Sequence, residues 1–179
     1  GNHEFPPNMS VSPFDMPKFL KEKYGADWNE AYKILIQFYD SLYHSLIVKN
    51  KYVMLHGGVP SEIDSVDDLA LAREKHPEER YLEDIIWSDP KDIEGVKSSM
   101  RGAGKIFGKD VTKDFLELTG AKILIRGHES CNGFKTSHDG LIITVFSRKG
   151  LPYNNSKAGF LRLKGETDSQ KILENSETF

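Results

Sequence analysis

Three of the six histidines stand where an apolar run breaks into a glycine-bearing loop: His3 in GNHE, His56 in VMLHGG and His128 in LIRGHE. An extended run fixes the direction of the side chain at its end, and a neighbouring glycine lets backbone and ligand approach closely. Neutral imidazoles, with amide or carboxylate oxygens, are the usual ligands of borderline divalent cations such as Mn, Fe and Zn. Asn2, directly before His3, adds an amide oxygen to that set. None of these residues has the tight spacing of a helical HExxH or a zinc finger, so only the fold could assemble a shared metal site. Taken singly, each histidine has an ordinary alternative as a satisfied core or surface residue. His44, on a polar helix face, His76, in an acidic stretch, and His138, in a hairpin turn, all read that way.

Arg101, in SSMRGAGKIFG, is a second chemistry-bearing residue. A guanidinium forks two donors onto a tetrahedral oxyanion, and flanking glycines keep the approach clear. The competing reading is a surface ion pair. The string RGAGKIFG lacks both the GxGxxG order and the GK[ST] ending, which sets nucleotide binding aside.

The elements that position these residues can be read from periodicity and punctuation. Residues 5–27, rich in Pro and turn-formers, read as loop with a short helical turn. Residues 28–50 carry Tyr32, Leu35, Ile36, Tyr39, Leu42, Tyr43 and Leu46 at helical spacing and predict one long amphipathic helix. KYVML predicts a short buried strand ending at HGGVP. Ser65 and Asp68 have capping-box spacing and open an acidic helix near residues 66–75. VTKDFLELTG predicts a helix closed by Gly120, and KILIR the next strand. Residues 133–147 predict a β-hairpin turning at Asp139-Gly140, and KAGFLRLKG a last strand followed by a frayed polar tail, residues 166–179. Helices come early and strands late, so the fold class is mixed α/β or α+β, with a site on strand-end loops.

Composition narrows the function classes. The chain of 179 residues is 38% hydrophobic and 28% charged, which suits one medium-sized globular domain. A formal net charge of -3 offers no global field for nucleic acid or an anionic membrane, so a phosphate-bearing substrate would need local cations. No apolar run is long enough to span a bilayer. Cys131 is the single cysteine, which excludes an internal disulfide and fits the cytoplasm.

In order along the chain stand GNHE, HGGVPS, IIWSDP, MRGAGKIFG, IRGHE and TVFSRKG. Together these blocks resemble the PPP family of serine/threonine protein phosphatases, within the calcineurin-like metallophosphoesterases. The resemblance runs from Gly1 to about Leu163, and the RGHE and FSRKG variants look like archaeal or bacterial members. It implies a β-sandwich flanked by helices, here the C-terminal portion over residues 1–165. It also implies a dinuclear centre of Mn, Fe or Zn, a metal-bridging hydroxide as nucleophile, and a phosphoprotein substrate. Carried over by motif, Asn2, His56 and His128 correspond to ligands of one metal and His3 to the general acid. Arg101 corresponds to a phosphate clamp and Asp89 to a carboxylate that orients the phosphate-binding and acid groups. Tyr153 corresponds to a substrate-contacting tyrosine, although SRKGLPYNN departs from the family's SAPNY.

The family's GDxHG and GDxVDRG blocks, which supply the other metal's ligands, do not occur here. The chain by itself is therefore expected to hold at most one ion, through three neutral ligands, and to lack activity. Two rivals follow from the same residues. One is a non-catalytic binding or scaffold relic of the fold. The other is a metallophosphoesterase acting on dinucleoside polyphosphates or small phosphoesters. Regulatory subunits leave no mark on the sequence.

Overall fold

A computed structural model describes residues 1–4, 11 and 14–179. It divides into two compact units, residues 1–43 and 44–179.

The first unit is a helical hairpin of α1 (Met16–Tyr24) and α2 (Trp28–Asp40), joined by a 3-10 turn over Gly25–Asp27. Residues 16–27 are thus helical where loop was expected; residues 5–10 and 12–13 lie outside the described residues. Lys, Leu and Glu in KFLKEKY favour the helix, and Lys21 and Lys23 in its last turn suit the negative end of its dipole. Lys21 Nζ lies 4.4 Å from the centre of the Trp28 ring, which bridges the two helices.

The long helix predicted to reach Asn50 ends at Asp40. The Ser41 amide closes the last turn on the Phe38 carbonyl and the Leu42 amide on that of Tyr39, and the chain continues into strand β1 (Ser45–Val48). Leu46 fits the helical spacing, yet Ile47 and Val48 after it are β-branched and pair with the following strand β2 (Tyr52–Leu55). Asn50, at φ 61, makes the left-handed turn between them. Tertiary pairing overrides the local period here.

The second unit continues with helices α3 (Val66–Ala70) and α4 (Tyr81–Trp87) and strands β3 (Asp89–Pro90), β4 (Val96–Ser98) and β5 (Lys105–Phe107). Then follow α5 (Lys109–Thr119), β6 (Ile123–Arg126), β7 (Phe134–Ser137), β8 (Ile142–Val145), β9 (Gly159–Phe160), α6 (Ser169–Glu174) and β10 (Glu177–Thr178). The Ser65–Asp68 capping box is present, although α3 stops at Ala70 rather than running to 75. Gly120 closes α5 in the left-handed conformation, and the hairpin of β7 and β8 turns through His138, Asp139 and Gly140.

A five-stranded mixed sheet in the order β1-β2-β6-β8-β7 forms the frame, accompanied by a three-stranded sheet β3-β5-β4. This is the mixed α/β architecture that the strand-end punctuation predicts. Strands β2, β6 and β8 run parallel, with Met54 opposite Ile125 and Ile125 opposite Ile143. Parallel strands are covered on both faces, which explains why VML and ILI read as unbroken apolar runs.

Residues 166–179, expected to fray, are folded. The Asp168 carboxylate accepts the Lys171 amide at 3.0 Å and caps α6. Ile172 is fully buried in a cluster with Tyr52, Ile123, Ile125 and Ile143. Beyond it β10 pairs with β9, Glu177 facing Phe160. One apolar pair, Ile172-Leu173, within a polar stretch supplies the anchor.

Candidate metal and phosphate site

Because β2 and β6 are neighbours and parallel, their C-terminal ends open side by side, and each is followed by a predicted histidine. The rings of His56 and His128 lie 5.2 Å apart at 67°. The Gly127 amide donates to the His56 carbonyl at 3.0 Å, which ties the two loops together. Trp87 meets His128 edge-on at 5.6 Å. His128 itself is left-handed, φ 65, a posture that costs a residue with a Cβ about 1 kcal/mol.

The paired glycines after His56 serve close approach. The Gly57 amide donates to the Ile85 carbonyl at 2.6 Å and the Gly58 amide to that of Asp84 at 3.3 Å, so the loop docks on the end of α4. A Cβ on Gly57 would fall 2.6 Å from the Ile86 carbonyl carbon. Only glycine brings His56 this near the helix that leads into WSDP.

Asp89, at the start of β3, carries two guanidinium groups. Arg101 Nε donates to Oδ2 at 2.7 Å and Arg126 Nη2 to Oδ1 at 2.9 Å. Arg126 also donates through Nη1 to Glu129 Oε2 at 2.7 Å, and its side chain has no exposed surface. Glu129 receives Lys91 at 3.1 Å and Lys135 at 2.9 Å. Burial alone would raise the Glu129 carboxyl, yet Lys135, Arg126 and Lys91 hold it down at about 2. Burial likewise lowers the Arg126 guanidinium, against the pull of Asp89 and Glu129. Arg101, Arg126, Lys91 and Lys135 thus outnumber the carboxylates Asp89 and Glu129. The excess gives an otherwise acidic chain a local field for an anion.

Burial, first of all, and the nearby Arg126 and Arg101 push the His128 imidazole down to about 4, against the attraction of Asp89. The ring is neutral at neutral pH. Its Nε2 is buried with no hydrogen-bond partner. A neutral imidazole nitrogen left unpaired in a buried place is what a borderline divalent cation requires. The two imidazoles fit part of a coordination shell. Among the described residues no group of three or more His, Cys, Asp or Glu side chains is arranged to hold an ion.

Asn2 and His3 belong to the first unit, in a turn closed by the Glu4 amide on the Gly1 carbonyl at 3.1 Å. Asn2 is buried and His3 exposed. Tyr153 is half-exposed, packed edge-on against Phe146 at 4.9 Å. Its loop is pinned to the turn after His128, where Asn155 Nδ2 donates to Ser130 Oγ at 2.9 Å and the Ser156 amide to Asn132 Oδ1 at 2.8 Å. Of the three histidines read as ordinary, His138 is buried, bonded to Thr112 Oγ1 and to the Lys91 carbonyl, and His44 meets the Leu69 carbonyl.

Sequence reasoning missed Arg126 and Glu129. The available signal was a charged residue closing the otherwise apolar run ILIR, since such a charge is either exposed or paired.

Asp84, in α4, behaves differently from its neighbours. Burial pushes its carboxyl up to about 6, although Lys105 stands 3.3 Å away and pulls it down. The folded value lies above the ordinary 3.8, so the folded chain binds the extra proton. Stability from this group is present below pH 4 and is lost as pH rises through about 6, by up to about 3 kcal/mol. Urea unfolding of the second unit should therefore show a midpoint that falls between pH 5 and 7, and Asp84→Asn should flatten that slope. Glu129 acts oppositely, as pH falls from about 4.5 to about 2, so the fall above pH 5 belongs to Asp84.

The calcineurin-like phosphoesterase family model matches residues 1–132. The chain belongs to that family. A probable serine/threonine-protein phosphatase of Encephalitozoon cuniculi is 32% identical, covering 94% of this chain and 38% of that protein. The serine/threonine-protein phosphatase 6 catalytic subunit of Drosophila melanogaster is also 32% identical, over 86% of the chain and 50% of that protein. Among solved structures, a protein serine/threonine phosphatase from Saccharomyces cerevisiae with similarity to human phosphatase PP5 aligns with a TM-score of 0.76 and 27% identity. That alignment covers 100% of this chain and 58% of the other. This calcineurin-like phosphoesterase chain thus spans a third to about half of the curated relatives it matches.

Proposed function

We propose that the protein is a metal-dependent phosphatase for phosphate monoesters, with phosphoserine and phosphothreonine in proteins as its substrates. One observation carries this reading: the buried, unpartnered His128 Nε2 beside His56, within the field of an exposed Arg101 held by Asp89. In it, Asn2, His56 and His128 hold one divalent ion of an Mn, Fe or Zn pair. GDxHG and GDxVDRG segments, in a form that carries them, would supply ligands for the other ion. Such ions, when bound, supply Lewis acidity toward the phosphate oxygens and lower the pKa of water. Arg101 takes the equatorial oxygens on its fork and offsets their growing charge. His3 gives its proton to the leaving serine or threonine oxygen, a poor leaving group unless protonated. Tyr153 lines the approach of the substrate. The serine/threonine phosphatases among the relatives support the protein substrate. Cys131, a free thiol, supports a cytoplasmic setting; among the described residues no helix is long and apolar enough to cross a membrane.

The test compares the chain alone with the chain extended by any residues encoded before Gly1. Hydrolysis of p-nitrophenyl phosphate and of a phosphothreonine peptide is followed with manganese present. The expected result is turnover only in a form that carries the missing acidic ligands, lost again in His56→Asn. Turnover by the chain alone, abolished by His3→Asn, would overturn the need for those ligands. A longer form that binds manganese but hydrolyses neither ester points to the scaffold reading, and one that prefers dinucleoside polyphosphates to the alternative hydrolase.

A further inference from the structure

We propose that Arg126 is a positioning residue of this site, acting on phosphate through Asp89 and Arg101. The inference rests on the reading of Arg101 as the group that meets phosphate.

A carboxylate held at one oxygen can still swing about its terminal torsion. Asp89 is held at both, by Arg101 on Oδ2 and by Arg126 on Oδ1, so its plane is fixed. The two guanidiniums differ in everything but charge: Arg126 is fully enclosed, whereas Arg101 is 44% exposed and free to present its fork outward. Arg126 is fixed in turn from its other arm by Glu129, and Glu129 by Lys91 and Lys135. The chain of contacts therefore starts on the turn that carries His128, crosses the end of β6 and ends on the glycine-flanked loop of Arg101. It connects the turn of His128 to Arg101 through side-chain contacts alone.

Stability alone does not account for this arrangement. A buried ion-pair network can often be exchanged for apolar side chains with no loss of stability, and here Arg126 Nε is buried without a partner, which is a further cost. A network that gives up stability but fixes an exposed cation suits preorganisation of a binding group.

A double-mutant cycle in the active form of the protein separates positioning from packing. Arg126→Lys keeps the charge and loses the fork. It is expected to raise KM and the inhibition constant of inorganic phosphate about tenfold while kcat changes about threefold or less. In an Arg101→Ala background the same substitution should change both by less than about twofold, because the group it acts through is gone. Equal factors in the two backgrounds would sink the proposal. If Arg101→Ala itself leaves phosphate affinity unchanged, the reading of Arg101 falls and takes this inference with it. A second readout needs no turnover: the Arg101 Nε–H resonance of the chain itself should exchange with water about tenfold faster in Arg126→Lys. Unchanged exchange would also overturn the proposal. Should Arg126→Lys not fold, Glu129→Gln, which frees the other arm, is expected to give the same two signatures, and their absence counts against the proposal equally.

Discussion

Arg101→Ala should lower kcat/KM for a phosphate monoester about 10²–10³-fold and leave the stability of the fold within about 1 kcal/mol. The two halves of that expectation have separate causes. Arg101 is 44% exposed and its ion pair with Asp89 lies at the edge of the network, so water replaces much of what the substitution removes. Asp89 keeps its second partner, Arg126, so no buried carboxylate is stranded. Charge building on phosphate oxygens, in contrast, has no equivalent replacement once the fork is gone. Steady-state kinetics and urea unfolding of the same preparation check both halves. Unchanged kinetics with unchanged stability would return Arg101 to the surface ion pair that is the usual fate of a lone arginine.

Asp89→Ala is the mirror case, with a large expected effect on stability. The substitution leaves Arg126 fully buried with only Glu129 to balance its charge, and its Nη2 keeps only the long contact to the Ser88 carbonyl at 3.5 Å. Removing one member of a buried pair typically costs about 3–5 kcal/mol, a large share of the roughly 5–15 kcal/mol that holds a domain together. Asp89→Asn should cost less, because an amide oxygen still accepts from one guanidinium. Urea midpoints for the two variants beside Arg101→Ala give the order directly. A loss below about 1 kcal/mol in Asp89→Ala would mean that water reaches Arg126 and that the network is not dry. The contrast matters for function: one end of the chain of charges is built to be met by a ligand, the other to hold the first in place.

Local signals served well where one short-range interaction decides the outcome. The Ser65–Asp68 box, the Gly120 cap and the turn at Asp139-Gly140 all act within a few residues, and the structure has each of them. The failures share the opposite character. The period that carried α2 on to Asn50 is overridden by pairing of β1 with β2, and the polar end is folded because Ile172 finds Tyr52 and Ile143, far away in sequence. Neither partner is visible from inside the segment.

The candidate site divides along the same line. His56, His128 and Arg101 were legible as residue types at strand ends and glycine loops, and the ordered motifs around them carried the family and with it Asp89. Spacing could not say that His56 and His128 meet, because β2 and β6 are separated by about half of the second unit and come together only as parallel neighbours. Nor could it reveal Arg126. A charge at the end of an apolar strand becomes informative only when burial shows that it is dry and geometry shows which carboxylates it serves. The sequence by itself determined which chemistry-bearing groups are present and where the backbone bends to expose them, since both depend on side-chain identity and local torsion. Tertiary structure alone decided which groups act together, because desolvation and mutual approach are set by the packing of elements distant in sequence.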